Sequence, residues 1–330
     1  MKQKKLSVII PVKNGADTLG RCLSSVRNQT VEDIEIIILD SMSSDSSAAI
    51  AAEYGAVIIP VPDGTFNHGL TRNLGVANAN GELVYLTVQD AWIADAGMFE
   101  KMIAHFEQEE IMGVSGHQAV PHEMDKNPIQ WYRPYSKPTI TEKRVENEAT
   151  FNKLSVDEQK SLIAWDNVVA MYRKSALTAQ PFVETAFAED LIWSYQALLK
   201  SWKLIYDPSL VVYHYHHRTF TYTFMVAYSL NYHLYKYFRF LPALPPLLEP
   251  TIKSVYHLFK NRDLSFKKKI YWIFHDFASR TGNFISVFNF LTRLKTGGVG
   301  RLEQGYQKYC KLVPQGKQKN NIEKSIKNKF

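Results

Sequence analysis

The chain has 330 residues, of which 45% are hydrophobic, and a net charge of +7. This length accommodates one large domain with an appendage or two domains, with a sizeable core. Two cysteines, Cys22 and Cys310, indicate no disulfide framework. No stretch approaches the roughly 20 consecutive apolar residues of a membrane span, so the composition excludes disulfide-rich and membrane-spanning classes.

The positive charge is concentrated towards the C-terminus. Residues 251–330 contain 17 Lys and Arg against 4 Asp and Glu, a local charge of +13, which leaves residues 1–250 at −6. Such a split suggests a surface attracted to anionic lipid or nucleic acid. The apolar stretch 6–12 is too short for a signal-peptide core. We therefore expect a cytoplasmic protein that associates peripherally with the inner face of the cell membrane.

Strands and helices alternate through the first part of the chain. Predicted strands cover residues 6–12, 34–39, 56–61 and 83–88, and the intervening helices lie after residue 17, over 48–54 and over 70–79. The strands are apolar, β-branched runs, as expected for a parallel sheet that is buried on both faces. Right-handed crossovers join such strands, and ligands bind at their carboxyl ends. Asp40 and Asp90 both fall there.

The strand pattern ends near residue 219. Phe220–Phe240 is rich in aromatic side chains, and the apolar residues of 283–294 share one helical face. We predict a catalytic domain over residues 1–218 and a helical, basic, aromatic-rich region over 219–330 that binds a membrane or a partner chain. The tail from about residue 315 is predicted to be disordered because it is rich in Lys, Asn and Gln.

Two carboxylates flank a serine-rich turn after the second strand. Asp40 and Asp45 suit recognition of a nucleotide base or ribose at a strand end. Asp and Ser also form Asx turns and helix caps routinely. Their spacing leaves both interpretations open.

The segment Phe66–Asn73 reads Phe-Asn-His-Gly-Leu-Thr-Arg-Asn. Gly69, after His68, permits close backbone approach or a positive φ. Arg72 then lies in the first turn of a helix, whose amino end favours anions, and arginine offers a fixed fork of donors to phosphate oxygens. The alternative is a surface arginine on an amphipathic helix beside a hydrogen-bonded histidine.

Two segments carry candidate metal ligands. Asp90 follows the fourth strand, and Gln89 occupies the place where a first carboxylate is expected; one Asp with diphosphate oxygens and waters can still hold Mg²⁺. His214 and His216 alternate at a strand end and therefore face the same way. Neutral imidazole is a good ligand for transition metals. The alternatives are polar strand ends or a phosphate-contacting cluster.

Glu189 and Asp190 precede a helical pattern. An acidic pair at a helix start ordinarily complements the helix dipole. Alternatively, Asp190 is a general base whose pKa rises beside a diphosphate. Acceptor contacts are expected in the least patterned region, which includes Trp165 and Asn167.

Taken in order, these motifs closely resemble the family 2 glycosyltransferases with the GT-A fold. The segments that carry the resemblance are Val8–Gly15, Leu39–Asp45, Phe66–Asn73, Gln89–Ala91, Glu189–Asp190 and His214–His216. The Phe-x-His-Gly-x-x-Arg-Asn and Gln-Asp-Ala variants are most similar to bacterial rhamnosyltransferases that build surface polysaccharides. The resemblance covers the chain up to about residue 220.

The resemblance implies an α/β GT-A nucleotide-sugar-binding domain with a mostly parallel central sheet. It implies inverting transfer (EC 2.4 class) of L-rhamnose from dTDP-β-L-rhamnose to a hydroxyl of a growing bacterial surface polysaccharide or lipid-linked glycan. Asp190 would be the catalytic base, and Mg²⁺ or Mn²⁺ would be held by Asp90 with His214 or His216. The donor-binding residues implied are Pro11, Asn14, Asp40, Asp45, His68, Arg72 and Gln89. The acceptor or supporting residues implied are Glu189, Trp165 and Asn167.

Several alternatives stay open. The donor could be another nucleotide sugar, such as a UDP-hexose, and Gln89 leaves strict metal dependence undecided. A non-catalytic basic protein that binds RNA or membranes is a more distant alternative. A dinucleotide-binding oxidoreductase is rejected because the turn after the first strand lacks G-x-G-x-x-G. The partners expected are the donor, the acceptor glycan, an anionic membrane surface and a second copy of the chain, but no nucleic acid.

Overall fold

The computed structural model describes residues 5–123, 125–132 and 138–310. These described residues divide into two compact units, one within the ranges 1–119 and 134–215 and the other within the ranges 120–133 and 216–330. The predicted boundary after residue 218 stays a prediction, and the segment 120–133 belongs to the second unit. The predicted disordered tail lies outside the described residues.

The first unit is built on a mixed sheet. Within the described residues it has nine strands: β1 (Leu6–Val12), β2 (Glu35–Asp40), β3 (Val57–Pro60), β4 (Leu83–Leu86), β5 (Ala91–Ile93), β6 (Ile111–Ala119), β7 (Thr141–Lys143), β8 (Ala170–Arg173) and β9 (Lys203–His214). The strand order is β3-β2-β1-β4-β8-β6-β9-β5, and β7 also pairs with β9. The first four strands are parallel, as predicted. Strand β8 is antiparallel to both β4 and β6.

Eight helices of the first unit are described. They are α1 (Ala16–Arg27), α2 (Ser47–Glu53), α3 (His68–Asn78), α4 (Met98–His105), α5 (Glu148–Lys153), α6 (Val156–Ile163), α7 (Lys174–Ala179) and α8 (Glu189–Leu199). Helix α1 shows how its sequence builds the core, because Leu19, Leu23 and Val26 recur at helical spacing and are all buried. The predicted strands and helices up to residue 88 are confirmed, with ends that differ by a few residues.

The second unit is helical over most of its described residues, as the sequence predicted. Its long helices are α9 (Phe220–Phe238), α10 (Leu248–Lys260) and α11 (Phe266–Tyr309). Helix α11 is interrupted where Gly298 adopts a φ of 61°, a left-handed conformation that glycine accepts without steric cost. Tyr228 and Phe290 are completely buried in the core that α9 and α11 share. Among the described residues, no helix combines the length and hydrophobicity needed to cross a membrane.

Candidate active site at the carboxyl ends of the strands

The loops after β1 and β2 are joined by hydrogen bonds from backbone amides to side chains. Asn14, with a left-handed φ of 47°, accepts a hydrogen bond from the Ser44 amide at 2.8 Å. Asp45 accepts from the backbone amides of Ala16 and Ser47, each at 3.0 Å. Asn14 and Asp45 therefore hold the two loops in register. Any donor contact of either side chain remains a prediction.

Asp40 ends β2 beside β1. Its carboxylate accepts hydrogen bonds from the Ser43 amide at 3.2 Å and from the Ser43 hydroxyl at 2.5 Å, which makes it the acceptor of a tight turn. Pro11 lies on the neighbouring strand and pairs with Leu39. The Asx-turn interpretation is thus realised. Because Asp40 remains half-buried at the carboxyl edge, its predicted role at the nucleotide base stays a prediction.

Gln89 joins the loop after β4 to the loop after β1. Its amide oxygen accepts from the Lys13 amide at 2.8 Å, and its amide nitrogen donates to the Lys13 carbonyl at 3.3 Å. Only an amide can both accept and donate here, since an ionised carboxylate has no proton to give. A Cβ at Gly15 would lie 2.8 Å from the Gln89 side chain, so glycine permits this approach. Gln89 in place of a carboxylate is explained by this backbone pairing.

Helix α3 begins at His68. Asn67 caps it by accepting from the Gly69 amide at 3.1 Å. A Cβ at Gly69 would lie 2.4 Å from the carbonyl oxygen of Val183, which confirms that glycine permits close backbone approach. Burial, with a smaller contribution from the charge of Arg72, lowers the pKa of His68 to about 4. His68 is therefore neutral at physiological pH.

Arg72 is buried in an ion pair. Only 3% of the residue is exposed, and its Nη1 donates to Glu189 Oε1 at 2.8 Å and to the His68 carbonyl at 3.2 Å. Burial raises the pKa of Glu189, but the positive charge of Arg72, together with weaker contributions that include the hydrogen bond from Asn167, holds this pKa below its ordinary value. The surface-arginine alternative is therefore excluded. Contact between Arg72 and a nucleotide remains a prediction.

A chain of buried polar groups supports Glu189. The Trp165 indole donates to the Tyr172 hydroxyl at 2.6 Å, and that hydroxyl donates to Asn167 Oδ1 at 2.5 Å. The Asn167 side-chain amide then donates to Glu189 at 3.3 Å. Asn167 thus contacts the ion pair directly, whereas Trp165 is linked to it through Tyr172 and Asn167. Tyr172 completes this chain and was missed by the sequence analysis.

Asp190 lies next to Glu189 in the first turn of α8 and is half-buried. It accepts hydrogen bonds from the Leu191 amide at 2.8 Å and the Asn167 amide at 3.4 Å. Burial, followed by the negative charges of Glu189 and Asp166, raises its pKa well above the ordinary value. A carboxylate with a raised pKa is suited to take up a proton near neutral pH.

Strand pairing places the carboxylate of Asp90 next to the imidazole of His214. Strands β5 and β9 are antiparallel, with Ala91 opposite His214, so Asp90 lies directly beside this histidine. Asp90 Oδ1 and His214 Nε2 are 3.5 Å apart. A carboxylate oxygen and an imidazole nitrogen both suit Mn²⁺, whereas Mg²⁺ prefers oxygen ligands alone. His216 follows His214 by two residues and belongs to the second unit, which resumes at this residue.

Two residues around His214 were not predicted as site residues. Gln118 Oε1 lies 2.7 Å from His214 Nδ1, and Gln118 Nε2 donates to the carboxylate of Asp166. Asp166 lies between the predicted residues Trp165 and Asn167. Its position in the region expected to contact the acceptor was the local pattern that could have indicated it. Gln118 carried none, because it meets His214 across 96 residues of chain.

The first unit has a fold of the GT-A type. Its solved neighbours include the mannosyltransferase PcManGT from Pyrobaculum calidifontis in complex with GDP-Man and Mn²⁺. That structure gives a TM-score of 0.56 at 14% identity and covers 88% of each chain, so the two share a fold. Residues 7–176 match the family described as Glycosyl transferase family 2. The chain belongs to this family and is a glycosyltransferase.

Two relatives act on bacterial O-antigen chains. The O-antigen chain rhamnosyltransferase RfbN of Salmonella typhimurium (strain LT2) is 29% identical over 222 residues, which cover 65% of this chain and 68% of that protein. The O-antigen chain rhamnosyltransferase WbaN of Salmonella anatum is 29% identical over 218 residues, which cover 64% of this chain and 67% of that protein. The predicted similarity to rhamnosyltransferases is thereby confirmed.

Proposed function

We propose that this chain transfers L-rhamnose from dTDP-β-L-rhamnose, with inversion, to a hydroxyl of a growing bacterial surface polysaccharide or lipid-linked glycan. The similarity to two O-antigen chain rhamnosyltransferases supports the sugar and the acceptor class. The single structural observation that carries the chemistry is the placement of Asp190 at the start of α8, beside the buried Glu189 and within hydrogen-bond distance of the Asn167 amide, where burial and the neighbouring carboxylates raise its pKa. A UDP-hexose as donor is the alternative.

In this reaction Asp190 takes the proton of the acceptor hydroxyl. The freed oxygen forms a bond to the anomeric carbon while the bond from that carbon to the nucleoside diphosphate breaks on the opposite face. The product is an α-L-rhamnoside, and the diphosphate leaves with the electron pair. One base suffices here, unlike the paired carboxylates that a glycosidase places around its bond. The buried pair of Arg72 and Glu189 fixes the start of α8, where Asp190 lies.

We infer that Asp90 and His214 hold a divalent cation, with His216 as the predicted third ligand. The 3.5 Å separation of Asp90 Oδ1 and His214 Nε2 supports this role. Their donor set favours Mn²⁺ over Mg²⁺ because one ligand is an imidazole. When bound, such a cation neutralises charge on the leaving diphosphate.

A panel of nucleotide sugars tests the donor. The purified chain is incubated with dTDP-rhamnose, UDP-glucose, UDP-N-acetylglucosamine and GDP-mannose, each with Mn²⁺ or Mg²⁺, and release of the nucleoside diphosphate is measured. We expect release from dTDP-rhamnose alone. Preferential release from a UDP-sugar would establish the alternative donor and overturn the rhamnose assignment.

A second proposal concerns the location of the enzyme. Helices α10 and α11 expose large apolar side chains at intervals of three, four or eight residues, which places them on one side of each helix. We call this set the apolar face. Its members are Leu248, Ile252, Tyr256 and Phe259 on α10 and Phe266, Phe274, Phe277, Ile285 and Phe288 on α11. Leu248 is 76% exposed and Phe274 is 70% exposed.

We propose that the apolar face lies in the headgroup region of an anionic membrane. Exposed Lys253, Lys260 and Lys267 occur on the same two helices, and each basic residue near an anionic surface contributes about 1 kcal/mol. Aromatic and aliphatic side chains add interfacial burial. A second copy is a poorer occupant, because residues 251–330 carry +13 and two such surfaces repel each other.

Vesicle binding checks this prediction. We expect co-sedimentation with phosphatidylglycerol vesicles at low salt, and weaker binding as salt rises because exposed charges are screened. The double variant Ile252→Glu with Phe274→Glu should lose binding. Val156→Glu, at an exposed apolar position of α6, is the matched control and should bind like the wild type. Unchanged vesicle binding by the double variant, or its conversion from dimer to monomer instead, would refute membrane docking.

A further inference from the structure

Gln118 connects two polar side chains across the sheet of the first unit. It lies on β6, which runs parallel to β9, and it pairs in register with Val212. From there its amide oxygen lies 2.7 Å from His214 Nδ1, and its amide nitrogen donates to the carboxylate of Asp166. The other Asp166 oxygen accepts from the Val168 amide at 2.9 Å. Gln118 thus stands between a carboxylate and a candidate metal ligand.

The chemistry of Asp166 determines which way the Gln118 amide points. The amide nitrogen of Gln118 faces the Asp166 carboxylate, which also accepts from the Val168 amide, and the amide oxygen of Gln118 faces His214. An amide oxygen only accepts, so the proton of a neutral His214 must lie on Nδ1. The lone pair is then on Nε2. That nitrogen is the atom that lies 3.5 Å from Asp90 Oδ1.

We propose that Gln118 is a positioning residue that holds His214 in the tautomer whose Nε2 binds a divalent cation together with Asp90. The proposal rests on the metal role put forward above. Gln118 acts only through His214, as outer hydrogen-bond partners of metal-binding histidines do elsewhere. Asp166 has a second role in this arrangement, because it orients the amide of Gln118.

Mn²⁺ titration of the full chain, followed by the electron paramagnetic resonance signal of free Mn²⁺, tests the proposal without any turnover. Gln118→Met keeps the length of the side chain and removes its acceptor, so Mn²⁺ affinity should fall by about 10–100-fold. The double variant Gln118→Glu with Asp166→Asn exchanges the two groups. The carboxylate at position 118 accepts from His214, and the amide at position 166 donates to that carboxylate. This double variant should recover most of the affinity.

The matched control is Gln159→Met. Gln159 is half-buried on α6, and its amide donates to the backbone carbonyls of Phe151 and Leu154. Its replacement costs hydrogen bonds of similar kind away from His214, so Mn²⁺ affinity should stay at the wild-type value. A loss in this variant as large as that in Gln118→Met would show a general structural effect and overturn the proposal.

Nitrogen-15 spectra of labelled histidines read the tautomer directly, with the His214 signal assigned by its loss in His214→Asn. We expect protonated Nδ1 in the wild type and a mixture of tautomers in Gln118→Met. Protonation of Nε2 in the wild type, or wild-type Mn²⁺ affinity in Gln118→Met, would overturn the role of Gln118. If neither the wild type nor Asp90→Ala binds Mn²⁺, the proposed metal site is wrong. That outcome is distinct from a failure of the Gln118 role alone, in which the wild type still binds Mn²⁺.

Discussion

Asp190→Asn is expected to lower turnover by at least about a hundredfold, the usual contribution of a general base, while donor affinity stays nearly unchanged. The amide has almost the same shape as the carboxylate but cannot take a proton. Donor affinity is measured by calorimetry and turnover by nucleotide release. Asp157→Asn, at an exposed position of α6, is the matched control and should retain full turnover. Lost donor affinity with preserved turnover would contradict the assignment.

The pH profile of kcat/KM adds a second check on Asp190. Burial and the negative charges of Glu189 and Asp166 raise its pKa, and a base acts only after it has lost its proton. Activity should therefore rise with pH through a value above the range of an ordinary aspartate. Asp166→Asn removes one of those negative charges, so the midpoint should move to lower pH. A midpoint that Asp166→Asn leaves in place would argue against Asp190 as the titrating group.

Glu189→Gln is expected to destabilise the first unit by about 3–5 kcal/mol, because it leaves the buried charge of Arg72 without its counter-charge. The substitution preserves shape, so the loss reports charge rather than a cavity. Urea unfolding of the wild type and the variant measures the difference in the free energy of unfolding.

Two further variants separate charge from other causes. Glu249→Gln breaks an exposed ion pair with Lys253 on α10 and should produce no measurable change in stability. Combining Glu189→Gln with Arg72→Met removes the buried positive charge as well and should recover part of the loss. Equal stability of the wild type and Glu189→Gln would mean that the ion pair does not hold the start of α8.

Local sequence patterns determined much of the fold. Continuous apolar runs gave β1, β2 and β4 because a strand that is buried on both faces needs apolar side chains at every position. Close backbone approach at Gly69 was predicted because glycine has no side chain, and the carbonyl oxygen of Val183 lies where a Cβ would stand. Strand β8 was missed because its Ala-Met-Tyr-Arg sequence contains no β-branched residue and no apolar run like those of the predicted strands.

The contacts that complete the site were decided by tertiary structure. Arg72 meets Glu189 across 117 residues of chain, and Gln118 meets His214 across 96. Gln89 occupies the position where a carboxylate was expected, and its predicted donor contact stays a prediction; that its amide pairs with the backbone of Lys13 was seen only in the folded chain. Sequence spacing reports which side chains share a face of one helix or strand. It carries no information on which distant strands become neighbours, because that depends on how the whole sheet is ordered and packed.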